Sequence, residues 1–284
     1  MTRQLTTSNH DRDIAGLKYI YPVMSRRAGG LSIGVNFNTN NACNWRCIYC
    51  QVPDLQRGNA PEMDFALLED ELRYFLDFVQ HGDFFEQFNV TPEMRVIKDI
   101  AISGNGEPTS LRQFARAVRL IGEIAIEAGV FPSSHFVLIT NGSLIHQSDV
   151  KAGLKELARF GGEIWFKLDS ATAAGRKLIN NNAQSQRQLL ENLKIATEAC
   201  TTKLQTCMLH YLNQTWSVPE KQAYVQLLKE LRNRKLNIEK IMLYSIARQS
   251  FQPEADDLEK VERNEMEAFA ADIKALGYDV SVNS

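Results

Sequence analysis

Three of the five cysteines lie within eight residues, as Cys43, Cys47 and Cys50 of the segment CNWRCIYC. Thiolates are the usual ligands of iron–sulfur clusters and common ligands of zinc. Three ligands on one short loop leave one iron of a four-iron cluster without a protein ligand, and that iron can bind a reacting molecule. The alternative is a zinc site, which would need a fourth ligand from elsewhere, such as His81 or His210.

The other two cysteines, Cys200 and Cys207, fall in a predicted helix and a predicted strand, where buried cysteines behave as small apolar residues. An odd cysteine count with three in one cluster argues against a disulfide framework and favours metal binding in a reducing compartment. No apolar run is typical of a signal peptide, and none reaches the roughly 18 residues of a membrane span. We therefore expect a cytoplasmic protein without membrane association.

The charge balance of 32 Lys and Arg against 34 Asp and Glu gives a formal net charge of -2. Such a balance excludes a strongly basic surface of the kind that binds nucleic acid or anionic membranes over its whole extent. The apolar content of 44% is sufficient for one large core. We expect a single domain over residues 1–284, with an N-terminal extension (1–18), a core of about 19–250, and a C-terminal helix and possible final strand (251–284).

Short β-branched segments alternate with longer amphipathic segments, and this alternation predicts a parallel sheet. The predicted strands are 31–37, 97–103, 135–140, 163–169, 203–212, 239–246 and 278–282. The predicted helices are 63–80, 112–128, 148–160, 184–199, 217–235 and 254–276. The segment Ser217 to Glu220 has the pattern of a capping box at the start of the fifth helix. Six β/α units predict a partial (β/α)6 parallel-stranded barrel, and a doubly wound sheet is the alternative.

A polar motif follows each of the first six predicted strands. After the cysteine segment these motifs are 104–109 (GNGEPT), 141–143 (NGS), Asp169 with Ser170, His210 to Asn213, and 244–248 (YSIAR). The carboxyl ends of parallel strands meet at one edge of the sheet, where ligands bind in both candidate folds. The sequence therefore predicts one site that contains the cysteines and these motifs.

The segment CNWRCIYC, with Tyr49 just before its last cysteine, resembles the signature of the radical S-adenosylmethionine superfamily. The resemblance implies that Cys43, Cys47 and Cys50 hold a [4Fe-4S] cluster. In that superfamily the amino and carboxylate groups of S-adenosylmethionine chelate the open iron. One-electron reduction then cleaves the cofactor to a 5′-deoxyadenosyl radical, which abstracts a hydrogen atom from the substrate.

Further motifs fit the same resemblance. The segment SGNGEPT is similar to the glycine-rich element whose backbone receives the methionyl amino group, with matches at Gly104, Gly106, Glu107 and Pro108. The resemblance also places four other residues beside the cofactor. They are Tyr49 against the adenine, and Asn141, Ser143 and Asp169 near the ribose.

The segments 21–37 (YPVMSRRAGGLSIGVNF) and 243–248 (LYSIAR) resemble wybutosine-type tRNA synthases and their uncharacterised relatives. The tRNA-modifying members use a second cysteine-bound cluster, and this sequence has no additional cysteine triad. The substrate stays open between a tRNA base, a peptide and a small metabolite. The resemblance implies a reductant such as flavodoxin or ferredoxin, whereas the sequence does not indicate the oligomeric state.

Some polar residues have two interpretations. Lys167 and Asp169 lie two positions apart on one strand and share a face, so they either address the same ligand or pair with each other. Arg26, Arg27 and Arg248 are candidates for binding a phosphate or carboxylate of the substrate. For the whole protein, the different-class alternative is a non-enzymatic iron–sulfur or zinc protein that acts as a sensor or scaffold.

Overall fold

A computed structural model describes residues 15–25, 29–212 and 215–283 of the chain. The strands are β1 (Ile20–Ser25), β2 (Gly30–Val35), β3 (Ala42–Cys43), β4 (Gln56–Arg57), β5 (Ile97–Ile102), β6 (His135–Thr140), β7 (Glu163–Lys167), β8 (Thr201–Tyr211), β9 (Ile238–Ser245), β10 (Leu258–Lys260) and β11 (Asp279–Asn283). The helices are α1 (Phe65–His81), α2 (Phe84–Gln87), α3 (Phe114–Glu127), α4 (Ser148–Arg159), α5 (Ala173–Asn180), α6 (Gln186–Ala199), α7 (Val218–Asn233) and α8 (Arg263–Lys274).

The main sheet is mostly parallel and has the order β1-β2-β5-β6-β7-β8-β9-β11. Strand β1 is antiparallel to β2, and β10 is antiparallel to β8. All seven predicted strands are present, and the predicted α/β class is confirmed. The strand pairings within the described residues do not close the sheet into a barrel.

Alternate residues of each strand face opposite sides of the sheet. On β7 and just after it, Ile164, Phe166 and Leu168 are buried in the large core that the helices cover. The residues between them, such as Trp165 and Lys167, point to the other side, which we call the inner face. A smaller apolar cluster on the inner face includes Ile48 of the cysteine segment and Cys207 of β8.

The predicted helix over 254–276 is shorter in the structure. Helix α8 begins only at Arg263, and the preceding residues form a 3-10 turn at Ala255–Asp257 and strand β10. Strand β10 pairs with the end of β8 at Leu209 to Tyr211. The next residue, Val261, is buried and its backbone N–H donates to Ser245 Oγ at 2.9 Å. Pairing with the long strand β8 therefore overrides the local helical pattern.

The predicted capping box at Ser217 is wrong. Ser217 is the N-cap of α7, but its side chain makes no capping hydrogen bond. Glu220 instead accepts hydrogen bonds from Ser170 and Thr172, and it thereby ties α7 to the loop after β7. A complete capping box is present at Ser185, where α6 begins.

Several elements were not predicted, among them the edge strand β1, the short pair β3–β4 that contains Cys43, and the short helix α5. No helix in the described ranges has both the length and the apolar character needed to cross a membrane. Arg26, Arg27 and Asn213 of the predicted motifs lie outside the described residues.

Arg176 of α5 is only 2% exposed and joins the loops on both sides of its helix. Its guanidinium donates to the carbonyls of Ala171 at 2.9 Å and Gln184 at 3.1 Å. We expect Arg176→Met to lower the free energy of unfolding by about 3 kcal/mol, because these buried carbonyls lose a charged donor. Urea denaturation measures this loss.

The matched control is Arg187→Met on α6, whose side chain is exposed and paired with Glu191. It should cost less than about 0.5 kcal/mol. Equal losses for the two variants would show that Arg176 does not hold the loops around α5.

Candidate active site

The three clustered cysteines are free thiols and partly buried. Cys43 ends β3, which pairs with β4, and Cys47 and Cys50 follow on an irregular segment. Burial raises the pKa of the Cys43 thiol to about 12 and that of Cys47 to about 11. A bound cation would favour the thiolate forms and offset this burial.

Helix α5 holds the cysteine segment from one side. The backbone N–H groups of Ile48 and Arg46 donate to the carbonyls of Ile179 at 2.8 Å and Asn180 at 3.2 Å. The next residue, Asn181, has the left-handed conformation of a helix cap, and its Nδ2 donates to the Arg46 carbonyl at 2.9 Å. The end of α5 therefore fixes the backbone around Cys47.

Asn180 also contacts the thiol itself. Its side chain is fully buried, and Nδ2 lies 3.2 Å from Cys47 Sγ and 2.7 Å from Asp169 Oδ2. The sequence analysis missed Asn180, although the run of three asparagines at 180–182 is typical of a helix C-terminus.

The loop after β9 holds the segment from the other side. Ser250 Oγ donates to the Ile48 carbonyl at 2.7 Å, and the Phe251 N–H donates to the Cys50 carbonyl at 2.9 Å. The carboxylate of Glu254 accepts two hydrogen bonds from Arg46, both 2.7 Å long. Residues beyond 250 therefore support the site, which the sequence pattern did not indicate.

The glycine-rich segment after β5 lies directly against the cysteine segment. A Cβ at Gly106 would fall 2.0 Å from the carbonyl oxygen of Ala42, so only glycine fits there. Gly104 has φ +153 and a Cβ there would fall 2.2 Å from Asn36 Oδ1. That oxygen accepts the Asn105 N–H at 3.0 Å. This packing within the chain requires glycine at both positions, and the predicted role of Gly104 and Gly106 beside the cofactor stays a prediction.

The buried carboxylate of Glu107 connects the end of β5 to the end of β6. Its carboxylate accepts hydrogen bonds from Thr140 Oγ1 and from the Asn141 N–H, both at 2.6 Å, and from the Thr109 N–H at 3.1 Å. Burial raises the pKa of Glu107, although these hydrogen bonds oppose the shift. Pro108 starts the short 3-10 turn that follows. Through these contacts Glu107 fixes the backbone at the carboxyl ends of the parallel strands, which we call the rim of the sheet.

Asn141 and Ser143 form one polar group with Asn44 of the cysteine segment. Asn141 Nδ2 donates to Asn44 Oδ1 at 2.8 Å, and Asn44 Nδ2 donates to Ser143 Oγ at 2.8 Å. Asn192 of α6 supports the turn from below by donating to the Gly142 carbonyl at 2.8 Å. Asn44 and Asn192 were not identified from the sequence, because their roles depend on contacts 50 or more residues away along the chain.

Asp169 and Tyr49 are brought together on the inner face. Tyr49 Oη donates to Asp169 Oδ2 at 2.5 Å, and the Cys207 N–H donates to Oδ1 at 2.9 Å. Burial and the nearby Asp169 carboxylate raise the pKa of Tyr49 well above its usual value. With Asn180 as a third donor, protein groups occupy three of the roughly four acceptor positions of this carboxylate.

The donor set suits a cluster better than a single ion. Within the described ranges, no three or more His, Cys, Asp and Glu side chains are grouped to hold one metal ion. The cysteines of a four-iron cluster bind different iron atoms, so they need not converge on one point. His210, a candidate fourth zinc ligand, is bonded instead to Glu265 of α8 at 3.1 Å.

Known proteins show the same fold. Streptococcus suis SuiB bound to S-adenosylmethionine has a TM-score of 0.59 and 10% identity, over 91% of this chain and 52% of that one. A radical SAM methyltransferase from Sphaerobacter thermophilus has a TM-score of 0.60 and 14% identity, over 96% of this chain and 72% of that one. The chain thus spans about half the length of SuiB, and at these identities the likeness shows the fold alone.

A curated relative, GTPase Obg of Brachyspira hyodysenteriae, is 25% identical over 133 residues, which are 47% of this chain and 17% of that protein. The present sequence has no Gly-Lys dipeptide and therefore no phosphate-binding loop of the usual GTPase type.

The family described as the Radical SAM superfamily matches residues 37–217. The match includes all three clustered cysteines and most of the rim motifs. Because it spans more than half of the sequence, the chain belongs to the radical SAM superfamily, whose enzymes use a [4Fe-4S] cluster and S-adenosylmethionine.

Proposed function

We propose that the protein is a radical S-adenosylmethionine enzyme in which Cys43, Cys47 and Cys50 hold a [4Fe-4S] cluster. The observation that carries the proposal is that the segment with three free thiols packs, at Ala42, against Gly106 of the glycine-rich turn that follows β5. When bound, the cluster and S-adenosylmethionine supply one-electron cleavage to a 5′-deoxyadenosyl radical that abstracts a substrate hydrogen atom.

The residues around the thiols bind and orient the cofactor, and they exclude water from it. In this proposal the backbone at Gly104 to Gly106 receives the methionyl group, while Asn141 and Ser143 lie near the ribose. Asp169 uses its remaining acceptor position for a ribose hydroxyl. The Tyr49 ring lies on the inner face, where its hydroxyl donates a hydrogen bond to Asp169, and it shields the cluster from water.

The resemblance to wybutosine-type tRNA synthases supports a tRNA base as the first substrate to test, with a peptide or a small metabolite as the other classes. We propose that the enzyme works in the cytoplasm with a flavodoxin or ferredoxin as its one-electron reductant.

The proposed function predicts 5′-deoxyadenosine formation by the anaerobically reconstituted and reduced protein. Cys43→Ala, Cys47→Ala and Cys50→Ala should each abolish the product, because each removes a cluster ligand. Cys200→Ala is the matched control and should retain formation, since that thiol is buried against α4 and bonded to the Leu154 carbonyl. Chromatography of the quenched reaction measures the product.

Two results would contradict the proposal. One is an intact cluster that never cleaves S-adenosylmethionine, which is the behaviour of a non-enzymatic iron–sulfur sensor. The other is zinc bound with a fourth side chain.

The hydrogen bond from Asn180 to Cys47 predicts a second effect. Asn180→Leu should make the reduction potential of the cluster more negative by about 40 mV, because the lost N–H stabilises the extra negative charge of the reduced state by about 1 kcal/mol. A redox titration followed by electron paramagnetic resonance measures the potential. Asn181→Gly removes only the bond to the Arg46 carbonyl and should leave the potential unchanged. Equal potentials for wild type and Asn180→Leu would refute the assigned contact.

A further inference from the structure

Lys167 is a cation on the inner face that the proposed reaction does not use. It lies on β7 two residues before Asp169, and its side chain is partly buried. Its Nζ lies 4.8 Å from the centre of the Tyr49 ring and 3.3 Å from Tyr244 Oη on β9. Lys167 therefore stands beside the cysteine segment, on the side where a substrate would meet the cofactor.

The Lys167 ammonium lies near Asp169 and Cys47, and both favour its charged form, but neither makes a direct ion pair with it. Among the ion pairs of the described residues, none joins a carboxylate to its ammonium within 4.0 Å. The nearest candidate, Asp169, accepts hydrogen bonds from Tyr49, Asn180 and the Cys207 N–H instead. A lysine has three N–H donors, and one of them reaches Tyr244.

Lys203 on the adjacent strand shows the contrast. Its Nζ lies 2.6 Å from the Glu163 carboxylate and 3.9 Å from that of Glu239. Both lysines project from the inner face, since Lys203 is opposite Trp165 in the strand register. Lys203 therefore has a direct carboxylate partner, whereas the Lys167 ammonium, with one donor on Tyr244, has donors left for a bound anion.

We propose that Lys167, with Tyr244 beside it, binds an oxyanion of the substrate, either a carboxylate or a phosphate. The inference rests on the proposed function, because it assigns the substrate to the inner face below the cofactor. Two residues along a strand span about 7 Å, so Lys167 lies deeper in the sheet than the rim.

The test uses the reduced, reconstituted protein and two probes, inorganic phosphate and carboxyl-labelled acetate. A reduced cluster is paramagnetic and accelerates the nuclear relaxation only of a probe bound close to it, so anions on the outer surface do not register. We expect accelerated relaxation in the wild type for at least one probe, and the probe affected identifies the oxyanion as phosphate or carboxylate.

Lys167→Met should weaken binding of that probe about tenfold or more, because it removes the charged donor, while Lys167→Arg should retain most of it. Lys203→Met is the matched control and should bind the probe like the wild type. Unchanged binding in Lys167→Met, or no accelerated relaxation of either probe in the wild type, overturns the proposal.

Binding of S-adenosylmethionine, measured by calorimetry, provides a separate check. If Lys167→Met loses affinity for S-adenosylmethionine in parallel with the probe, the oxyanion is the cofactor's own carboxylate and the proposal fails. If no cluster signal forms, the proposed function fails instead. Equilibrium dialysis of labelled phosphate and acetate against the purified wild type and Lys167→Met then decides the Lys167 site by the same comparison.

Discussion

The site depends on hydrogen bonds that other parts of the chain supply to the cysteine segment. Beyond the two-residue strand β3, the residues from Asn44 to Cys50 have no regular secondary structure of their own. Their backbone carbonyl and N–H groups bond to the end of α5 and to the loop after β9, and the preceding Ala42 carbonyl accepts a hydrogen bond from Asn38 Nδ2. A short irregular loop can present three thiols in a fixed arrangement only if its backbone is held in this way.

Two buried carboxylates organise the rest of the rim. Glu107 joins the ends of β5 and β6, and Asp169 joins the end of β7 to β8, to α5 and to Tyr49. In both carboxylates, protein donors occupy most of the hydrogen-bond acceptor positions. The acidic residues of the motifs therefore fix the backbone and the position of Tyr49. The inner face also contains a cation, Lys167, that has no close carboxylate partner among the described ion pairs.

The features of the fold and site that could be predicted are those that depend on residues close together in the sequence. Cysteine spacing indicated the segment on which the candidate site is built, and alternating apolar segments located the seven parallel strands. Contacts between distant segments could not be predicted in this way. Asn180 and Ser250 matter because tertiary packing brings them to Cys47 and Cys50. The capping box at Ser217 does not form, and Glu220 instead accepts hydrogen bonds from Ser170 and Thr172. Strand β10 forms where a helical pattern was present, since pairing with β8 outweighs local propensity.

The central claim is that the cluster has one iron without a protein ligand, and that S-adenosylmethionine binds there. Electron–nuclear double resonance of the reduced protein, with the cofactor labelled in its carboxylate oxygen and amino nitrogen, tests this claim most directly. Strong coupling of both labels to the cluster is the expected result. A spectrum that is unchanged by the labelled cofactor, from a cluster with four protein ligands, would contradict it.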